Sequence, residues 1–294
     1  MKFKSFIFAG AAAIAALCSC NKETVPAAVA NNEIVFGLKG LAITKSVTES
    51  NAGLLQAGGF NVAAVTSGNA TLFNALASYD SENLYYKTAA TYYWPASGTM
   101  NFYACYPTTQ AVTVDNGVAT LAYEQNGETD LIAAKVTGAS KSATPVALTF
   151  NHVLSQVLLT AKGAVDDGLT YKITGINISM PTSGTYNYAT NDWTRSTQGA
   201  VQSILSASKD VTATASSVGE VLSVIPGEIS ISVEYTVYSG SIALASFTKS
   251  ATTAVTMGKK STLNLTLPYD EATPITFTVT VNEWGSESQD IELS

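Results

Sequence analysis

Residues 275–282 read Ile-Thr-Phe-Thr-Val-Thr-Val-Asn, the most regular alternation of apolar and polar side chains in the chain. In an extended strand successive side chains point to opposite faces. Ile275, Phe277, Val279 and Val281 therefore share one face, and the polar residues share the other. The β-branched composition supports the same conclusion, so this stretch predicts a β-strand with one apolar face.

The same period of two recurs through most of the sequence. Thr, Val, Ile, Tyr and Ser dominate, and Gly, Asn or Pro returns about every ten residues, as expected for short strands joined by turns. Short helices are predicted only at 70–79 and 198–206, and a long loop at 181–199. The predicted fold class is all-β, with two tandem β-sandwich domains at 33–151 and 152–294 and few short helices.

Residues 1–19 have the features of an export signal. Two lysines precede an apolar run at 6–17, which is shorter than the roughly 20 residues needed to cross a membrane. The run ends Leu17-Cys18-Ser19-Cys20, with a leucine three places before a cysteine and a small residue directly before it. This pattern is typical of a bacterial lipobox, so we predict acylation of Cys20 and a lipidated tether at 20–32. An ordinary secretory signal is the alternative.

After the tether, residues 33–45 are predicted to form a strand with apolar residues on both faces. Ile34, Phe36 and Leu38 alternate toward one face, but the opposite face is also partly apolar. A strand with two apolar faces is expected to be covered on both sides. Removing it would expose unpaired backbone and an apolar trough, which a strand from another molecule could fill.

A possible processing site lies at the end of this strand. Lys45 and Ser46 begin a polar segment, and a trypsin-like surface protease that cuts between them would make the strand removable. The alternative is that Lys45 is an ordinary solvated loop residue.

Composition argues against a nucleic-acid partner and against a disulfide framework. The chain has 22 acidic and 15 basic residues, a formal net charge of -7, and no basic stripe. Nucleic acid is therefore not an expected partner. Only Cys105 remains beside the acylated Cys20 in the exported chain, so no disulfide framework is available.

Catalytic and cofactor sites are not predicted. His152 is the only histidine, and no residues with metal-ligand spacing surround it in sequence. Cys105 and His152 could in principle form a thiol nucleophile and its base, but an apolar aromatic strand favours a core role for the cysteine. We expect a protein that is not an enzyme and needs no metal or cofactor.

A series of short motifs follows the lipobox in order: Tyr93-Trp94-Pro95, Asn101-Phe-Tyr-Ala-Cys-Tyr-Pro107, Asp130-Leu-Ile-Ala-Ala-Lys135, Leu148-Thr-Phe-Asn-His-Val-Leu-Ser-Gln-Val157, Gly184-Thr-Tyr186, Leu222-Ser-Val-Ile-Pro226, Gly258-Lys-Lys-Ser-Thr-Leu-Asn-Leu265 and Val281-Asn-Glu-Trp284. Together they resemble the sequence landmarks of the fimbrillin-like family, the type V pilus subunits of gut and oral diderm anaerobes. The resemblance covers nearly the whole exported chain.

The resemblance implies two tandem transthyretin-like sandwiches in a lipoprotein of the outer membrane and cell surface. It also implies trimming at a basic residue, commonly arginine in the family and Lys45 here, followed by strand exchange with other pilus subunits in a fimbria that supports adhesion. The donor strand would come from the C-terminal region, at Ile275–Val281 followed by 290–293. A permanent internal strand is the alternative for the first of these, and both a stalk and an anchor role fit the sequence.

A different class of function is also open on the sequence alone. Tyr92, Tyr93, Trp94 and Trp193 could stack on sugar rings, which would suit a surface glycan-binding lipoprotein that does not polymerise. A core role for the first three is the alternative, because aromatic side chains mostly fill sandwich interiors.

Overall fold

A computed structural model describes residues 32–39, 51–125, 130–165 and 168–284. Cys20, the pair Lys45 and Ser46, and the segment 290–293 lie outside these residues, so their predicted roles stay predictions. Within the described part, 21 strands and one short helix, α1 (Asn51–Gly58), confirm the all-β prediction.

The first ten strands are β1 (Phe36–Leu38), β2 (Phe60–Thr66), β3 (Thr71–Asp80), β4 (Tyr85–Thr88), β5 (Met100–Tyr106), β6 (Val112–Asp115), β7 (Val118–Glu124), β8 (Ile132–Ala139), β9 (Val146–Leu148) and β10 (Asn151–His152). The others are β11 (Ser155–Gly163), β12 (Leu169–Pro181), β13 (Ser183–Asn187), β14 (Asp192–Arg195), β15 (Gln198–Ser203), β16 (Lys209–Val211), β17 (Ser216–Val224), β18 (Gly227–Ser239), β19 (Ile242–Val255), β20 (Lys259–Leu267) and β21 (Thr276–Glu283).

The first half of the chain is built on an eight-stranded sheet in the order β10-β8-β5-β2-β3-β4-β1-β9. The sheet is strongly curved, since β9 at one edge also lies beside β8. Its concave side holds an aromatic core that includes Phe36, Phe60 and Phe102. The strands alternate between this core and the outer face, which is why their sequences show a period of two.

The second half is a sandwich of two sheets. One has the order β17-β11-β20-β21, and the other has the order β15-β12-β18-β19 with β16 paired to β12. Their inner faces enclose a second core that includes Tyr171, Tyr235 and Leu263. Several sheets packed in this way agree with the predicted β-sandwich architecture.

A fourth sheet, β14-β13-β7-β6, joins the two halves. The hairpin β13–β14 comes from the second half and pairs antiparallel with β7, from Ser183 opposite Glu124 to Asn187 opposite Thr120. The hairpin covers the outer face of the eight-stranded sheet, where Tyr188 donates a hydrogen bond to the Ala104 carbonyl at 2.8 Å. The prediction of a long loop at 181–199 is therefore wrong. The segment forms the hairpin β13–β14, because its aromatic residues pack against a distant sheet.

The two segments predicted as helices form strands instead. Residues 70–79 lie largely in β3, where Phe73, Ala75 and Ala77 face the core at a period of two. Residues 198–206 begin with β15, which pairs with β12. In each case pairing with a neighbouring strand overrides the helix propensity of the alanines. The domain boundary between 151 and 152 stays a prediction.

Trp193 anchors the hairpin to the first half, and its truncation tests this junction. The ring is buried and its Nε1 donates to the Val153 carbonyl at 2.7 Å. We expect Trp193→Ala to lower the free energy of unfolding by about 3 to 5 kcal/mol, because it leaves a cavity and an unpaired carbonyl. Tyr93→Ala is the matched control, since that ring is 55% exposed, and denaturant titration measures both. Equal stability of the two variants would contradict the assignment.

Candidate functional site

Strand β1 lies inside the eight-stranded sheet and is paired on both sides. Phe36 pairs antiparallel with Tyr86 of β4, and β1 pairs parallel with β9 from Phe36 opposite Val146 to Leu38 opposite Leu148. Three further backbone bonds extend this pairing: Ile34 N–H to the Tyr92 carbonyl, Val146 N–H to the Val35 carbonyl and Lys39 N–H to the Leu148 carbonyl, each 2.8 Å. Without β1, both β4 and β9 would present unpaired backbone groups.

Phe36 of β1 and Ile34, two residues before it, belong to the first core, and Leu38 of β1 packs against this core. Ile34, Val35 and Phe36 are buried and Leu38 is half-buried. The Phe36 ring meets Phe60 and Phe102 edge to face, with ring centroids 6.0 and 5.5 Å apart. The burial of Val35 agrees with the expectation that both faces of this strand are covered. We call the position that β1 occupies, between β4 and β9, the β1 slot.

A polar group lies beside the β1 slot. Tyr86, opposite Phe36, has a buried hydroxyl with no hydrogen-bond partner among the described residues. Burial raises the pKa of this hydroxyl to about 12, so it stays protonated at neutral pH. The slot is therefore an apolar, uncharged environment that suits aliphatic and aromatic side chains.

Strand β21, unlike β1, lies at the edge of a sheet and is partly exposed. It pairs with β20 at the edge of its sheet, from Thr276 opposite Thr266 to Glu283 opposite Lys259. Ile275, which precedes the strand, is buried, and Phe277 is half-buried. Val279 and Val281 are 37% and 52% exposed. The start of this apolar face therefore packs on the second core, whereas Val279 and Val281, further along the same face, are exposed to solvent.

A few specific contacts hold β21 in place. Asn264 Nδ2 donates to the Thr278 carbonyl at 3.2 Å and to Thr280 Oγ1 at 3.3 Å. Lys259 and Glu283 form an ion pair at the far end of the strand. Beyond them, Trp284 stacks on the His152 ring with centroids 4.3 Å apart and the planes 5° from parallel.

Trp284 and its contact with His152 were not predicted as part of a site. The sequence signal was only an aromatic residue directly after a strand, and His152 is 132 positions away along the chain (284 − 152). The structure brings them together because β10 and the end of β21 meet where the two halves join.

Cys105 has the environment of a core thiol. It lies in β5, is buried, and its Sγ is 3.5 Å from the Gln110 carbonyl. Burial raises its pKa to about 12, so the thiol stays protonated and is not a nucleophile at neutral pH. The His152 Nδ1 lies 2.7 Å from Asp130 Oδ2, and the histidine is thereby engaged by a carboxylate.

The tryptophans proposed for glycan stacking are core residues. Trp94 is buried against Phe102, with ring centroids 5.6 Å apart, and Trp193 is buried at the junction of the halves. Tyr92 stacks on Phe73 at 4.2 Å. Because a sugar-stacking ring must face solvent, the expectation for these two tryptophans is wrong.

Two negative findings apply to the described ranges only. They contain no cluster of three or more His, Cys, Asp or Glu side chains arranged to hold a metal ion. In the same ranges, none of the helices has the length and apolar character to cross a membrane.

The Cys105 assignment predicts slow chemical modification. We expect iodoacetamide at pH 7 to leave Cys105 unmodified in the folded protein, because the thiol is both buried and protonated. Peptide mapping by mass spectrometry measures the modified fraction, and the same protein unfolded in guanidinium chloride is the control. Labelling of the folded protein as fast as the unfolded one would contradict the assignment.

A family model described as fimbrillin-like matches residues 44–284. No curated protein matches the sequence.

Solved structures share the fold. A fimbrial protein from Bacteroides vulgatus has a TM-score of 0.66 at 17% identity, covering 86% of this chain and 100% of that one. A candidate cell adhesion protein from Parabacteroides distasonis has a TM-score of 0.54 at 13% identity, covering 86% and 96% of the respective chains. At such identities these structures show the fold alone. The family model covers well over half of the sequence, and the chain therefore belongs to the fimbrillin-like family.

Proposed function

We propose that the protein is a structural subunit, stalk or anchor, of a cell-surface fimbria that supports adhesion. It is exported as a lipoprotein held in the outer membrane by acylated Cys20, trimmed after Lys45, and polymerised by strand exchange with other subunits. Membership of the fimbrillin-like family supports the fimbrial role. The observation that carries the proposal is the contrast between β1, which is fully enclosed, and β21, which is not.

The β1 slot is a suitable acceptor once β1 has left. Ile34, Val35 and Phe36 are buried, and burying each such side chain contributes roughly 1.5 to 3 kcal/mol. An empty slot would therefore expose an apolar trough and the unpaired edges of β4 and β9 at once. Adding a strand from another subunit removes both costs, as in other cases of strand addition.

Strand β21 is a suitable donor. It presents Phe277, Val279 and Val281 at the same period of two as Ile34, just before β1, and Phe36 and Leu38 in β1. In its own subunit β21 pairs only with β20 and leaves its valines partly exposed. The β1 slot, by contrast, offers a partner strand on each side. Transfer of β21 into another subunit's slot breaks its pairing with β20 and replaces it with pairing on both sides, so the gain that favours transfer is the burial of its apolar face.

Trimming and displacement are separate steps in this mechanism. A cut after Lys45 breaks the chain but leaves the hydrogen bonds of β1 to β4 and β9 in place. The incoming strand must then displace β1 together with the lipid at Cys20.

Blocking the cut tests the processing step. We expect Lys45→Gln to keep the lipid-bearing segment attached and to abolish heat-sensitive oligomer ladders on gels, because β1 stays covalently in its slot. Lys39→Gln is the control, since Lys39 is exposed at the end of β1 but is not the proposed cut site. Amino-terminal sequencing of the surface protein should give Ser46 for the wild type and the control. Wild-type protein that retains residues 33–44 and stays monomeric at high concentration would contradict the proposal.

A charge on the exposed face of β21 tests the donor. We expect Val281→Asp to change the free energy of unfolding of the subunit by no more than about 0.5 kcal/mol, because the side chain already faces solvent. The same substitution should abolish polymers, since a carboxylate cannot enter the apolar slot uncompensated. Val221→Asp is the matched control: Val221 is 49% exposed on β17, the opposite edge strand of the same sheet. Polymers formed by Val281→Asp as readily as by this control would rule out β21 as the donor.

A further inference from the structure

The two parts of β21 are held to different degrees. Its middle has partly exposed valines, and its side-chain contacts there come mainly from Asn264. Its end carries the Lys259–Glu283 ion pair and, directly after it, Trp284. Phe277, near the start of the strand, packs against the second core, and the C-terminal end is held by this separate set of contacts.

Trp284 is held by contacts that come from the opposite half of the molecule. Its ring stacks on His152 of β10, which belongs to the eight-stranded sheet, whereas β21 belongs to the second half. Trp284 also packs against the third core cluster, where the hairpin β13–β14 meets the first half. An aromatic stack of this geometry is worth more than its buried area alone.

The His152 side of the stack is fixed in orientation. Nδ1 of the ring is 2.7 Å from Asp130 Oδ2, and the other oxygen of that carboxylate accepts a 2.7 Å bond from the Leu131 N–H. Both oxygens of Asp130 are thus engaged, and the Asp130 contact orients the imidazole on which Trp284 packs. A fixed ring loses little freedom when the stack forms, which strengthens the contact.

The backbone beside Trp284 is fastened in the same place. The Trp284 N–H donates to the Gly258 carbonyl at 3.2 Å, and the Gly258 N–H donates to the Leu154 carbonyl at 2.8 Å. Ser155 Oγ donates to the Thr256 carbonyl at 2.6 Å, so the turn before β20 is tied to the start of β11. Gly258 has φ +69°, a conformation that glycine adopts without strain, and a Cβ there would lie 3.2 Å from the His152 carbonyl.

We propose that the stack of Trp284 on His152, oriented by Asp130, is a clamp that holds β21 on its own subunit and limits how readily that strand is released. The edge pairing with β20 and the contacts of Asn264 do not involve the clamp, so its opening frees only the C-terminal end of the strand. The consequence for assembly rests on the proposed donor role of β21, but the clamp itself does not.

Such a clamp also protects the subunit before assembly. A strand with an exposed apolar face that detached freely would offer itself to any unpaired sheet edge. Stacking at one end raises the free energy of detachment without burying the valines, which remain available for transfer. The clamp therefore holds β21 on its own subunit while Val279 and Val281 stay exposed.

Amide hydrogen exchange measured by mass spectrometry tests the clamp in the full chain. We expect Trp284→Ala and His152→Ala each to speed exchange in residues 276–283 by about two- to tenfold, the size expected for one aromatic stack. Exchange in β12 and β18, in the core of the same half, should not change, which separates local release from global unfolding. Tyr269→Ala is the control, since it removes an aromatic ring that is 53% exposed elsewhere in the second half.

Three outcomes are informative. Faster exchange in 276–283 with faster oligomer formation after trimming supports the clamp and its role in assembly. Faster exchange with an unchanged rate of oligomer formation supports the clamp and counts against β21 as the donor. Wild-type exchange in both Trp284→Ala and His152→Ala overturns the clamp, whatever the oligomers show. His152→Phe, which keeps a ring for stacking but loses the Asp130 bond, should exchange at a rate between wild type and His152→Ala.

Discussion

The enclosure of β1 is the constraint on which the first half of the structure depends. A sheet is satisfied only when the backbone groups of its inner strands are paired, and β1 supplies those partners to β4 on one side and to β9 on the other. Its Phe36 ring also completes an aromatic cluster with Phe60 and Phe102. Because a single short strand provides both pairing and packing, its position must always be filled, by β1 itself or by an equivalent strand.

The rest of the framework does not depend on β1 in this way. The hairpin β13–β14 pairs with β7, and the Tyr188 and Trp193 side chains bond to carbonyl groups of Ala104 and Val153. These contacts form a separate core on the outer face of the eight-stranded sheet. Loss of β1 therefore opens one side of the first core while the junction of the halves and the second core keep their own contacts. In the proposed assembly, a subunit organised in this way exchanges a strand without first unfolding.

Much of the fold could be predicted from local pattern, but the long-range pairings could not. The alternation at 275–282 correctly gives a strand, and the two apolar faces around Phe36 correctly give a covered one, because both signals are carried by neighbouring residues. The hairpin that carries Trp193 reads as a loop, since its partner β7 lies about sixty residues earlier and nothing local records the pairing. The alanines of β3 suggest a helix for the same reason. The contact of Trp284 with His152 could not be found from either residue alone.

In the proposed assembly, the difference in environment between β21 and the β1 slot gives strand exchange its direction. A strand moves spontaneously from one site to another only if the second site offers more pairing or more burial than the first. Strand β21 has β20 on one side and leaves Val281 more than half exposed, whereas the β1 slot lies between two strands and buries Phe36 completely. If β21 were as well enclosed at home as β1 is, transfer would gain nothing and a fibre would not form. The incomplete burial of β21 is thus a requirement of the proposed assembly, and the proposed clamp at Trp284 would hold the partly exposed strand on a free subunit.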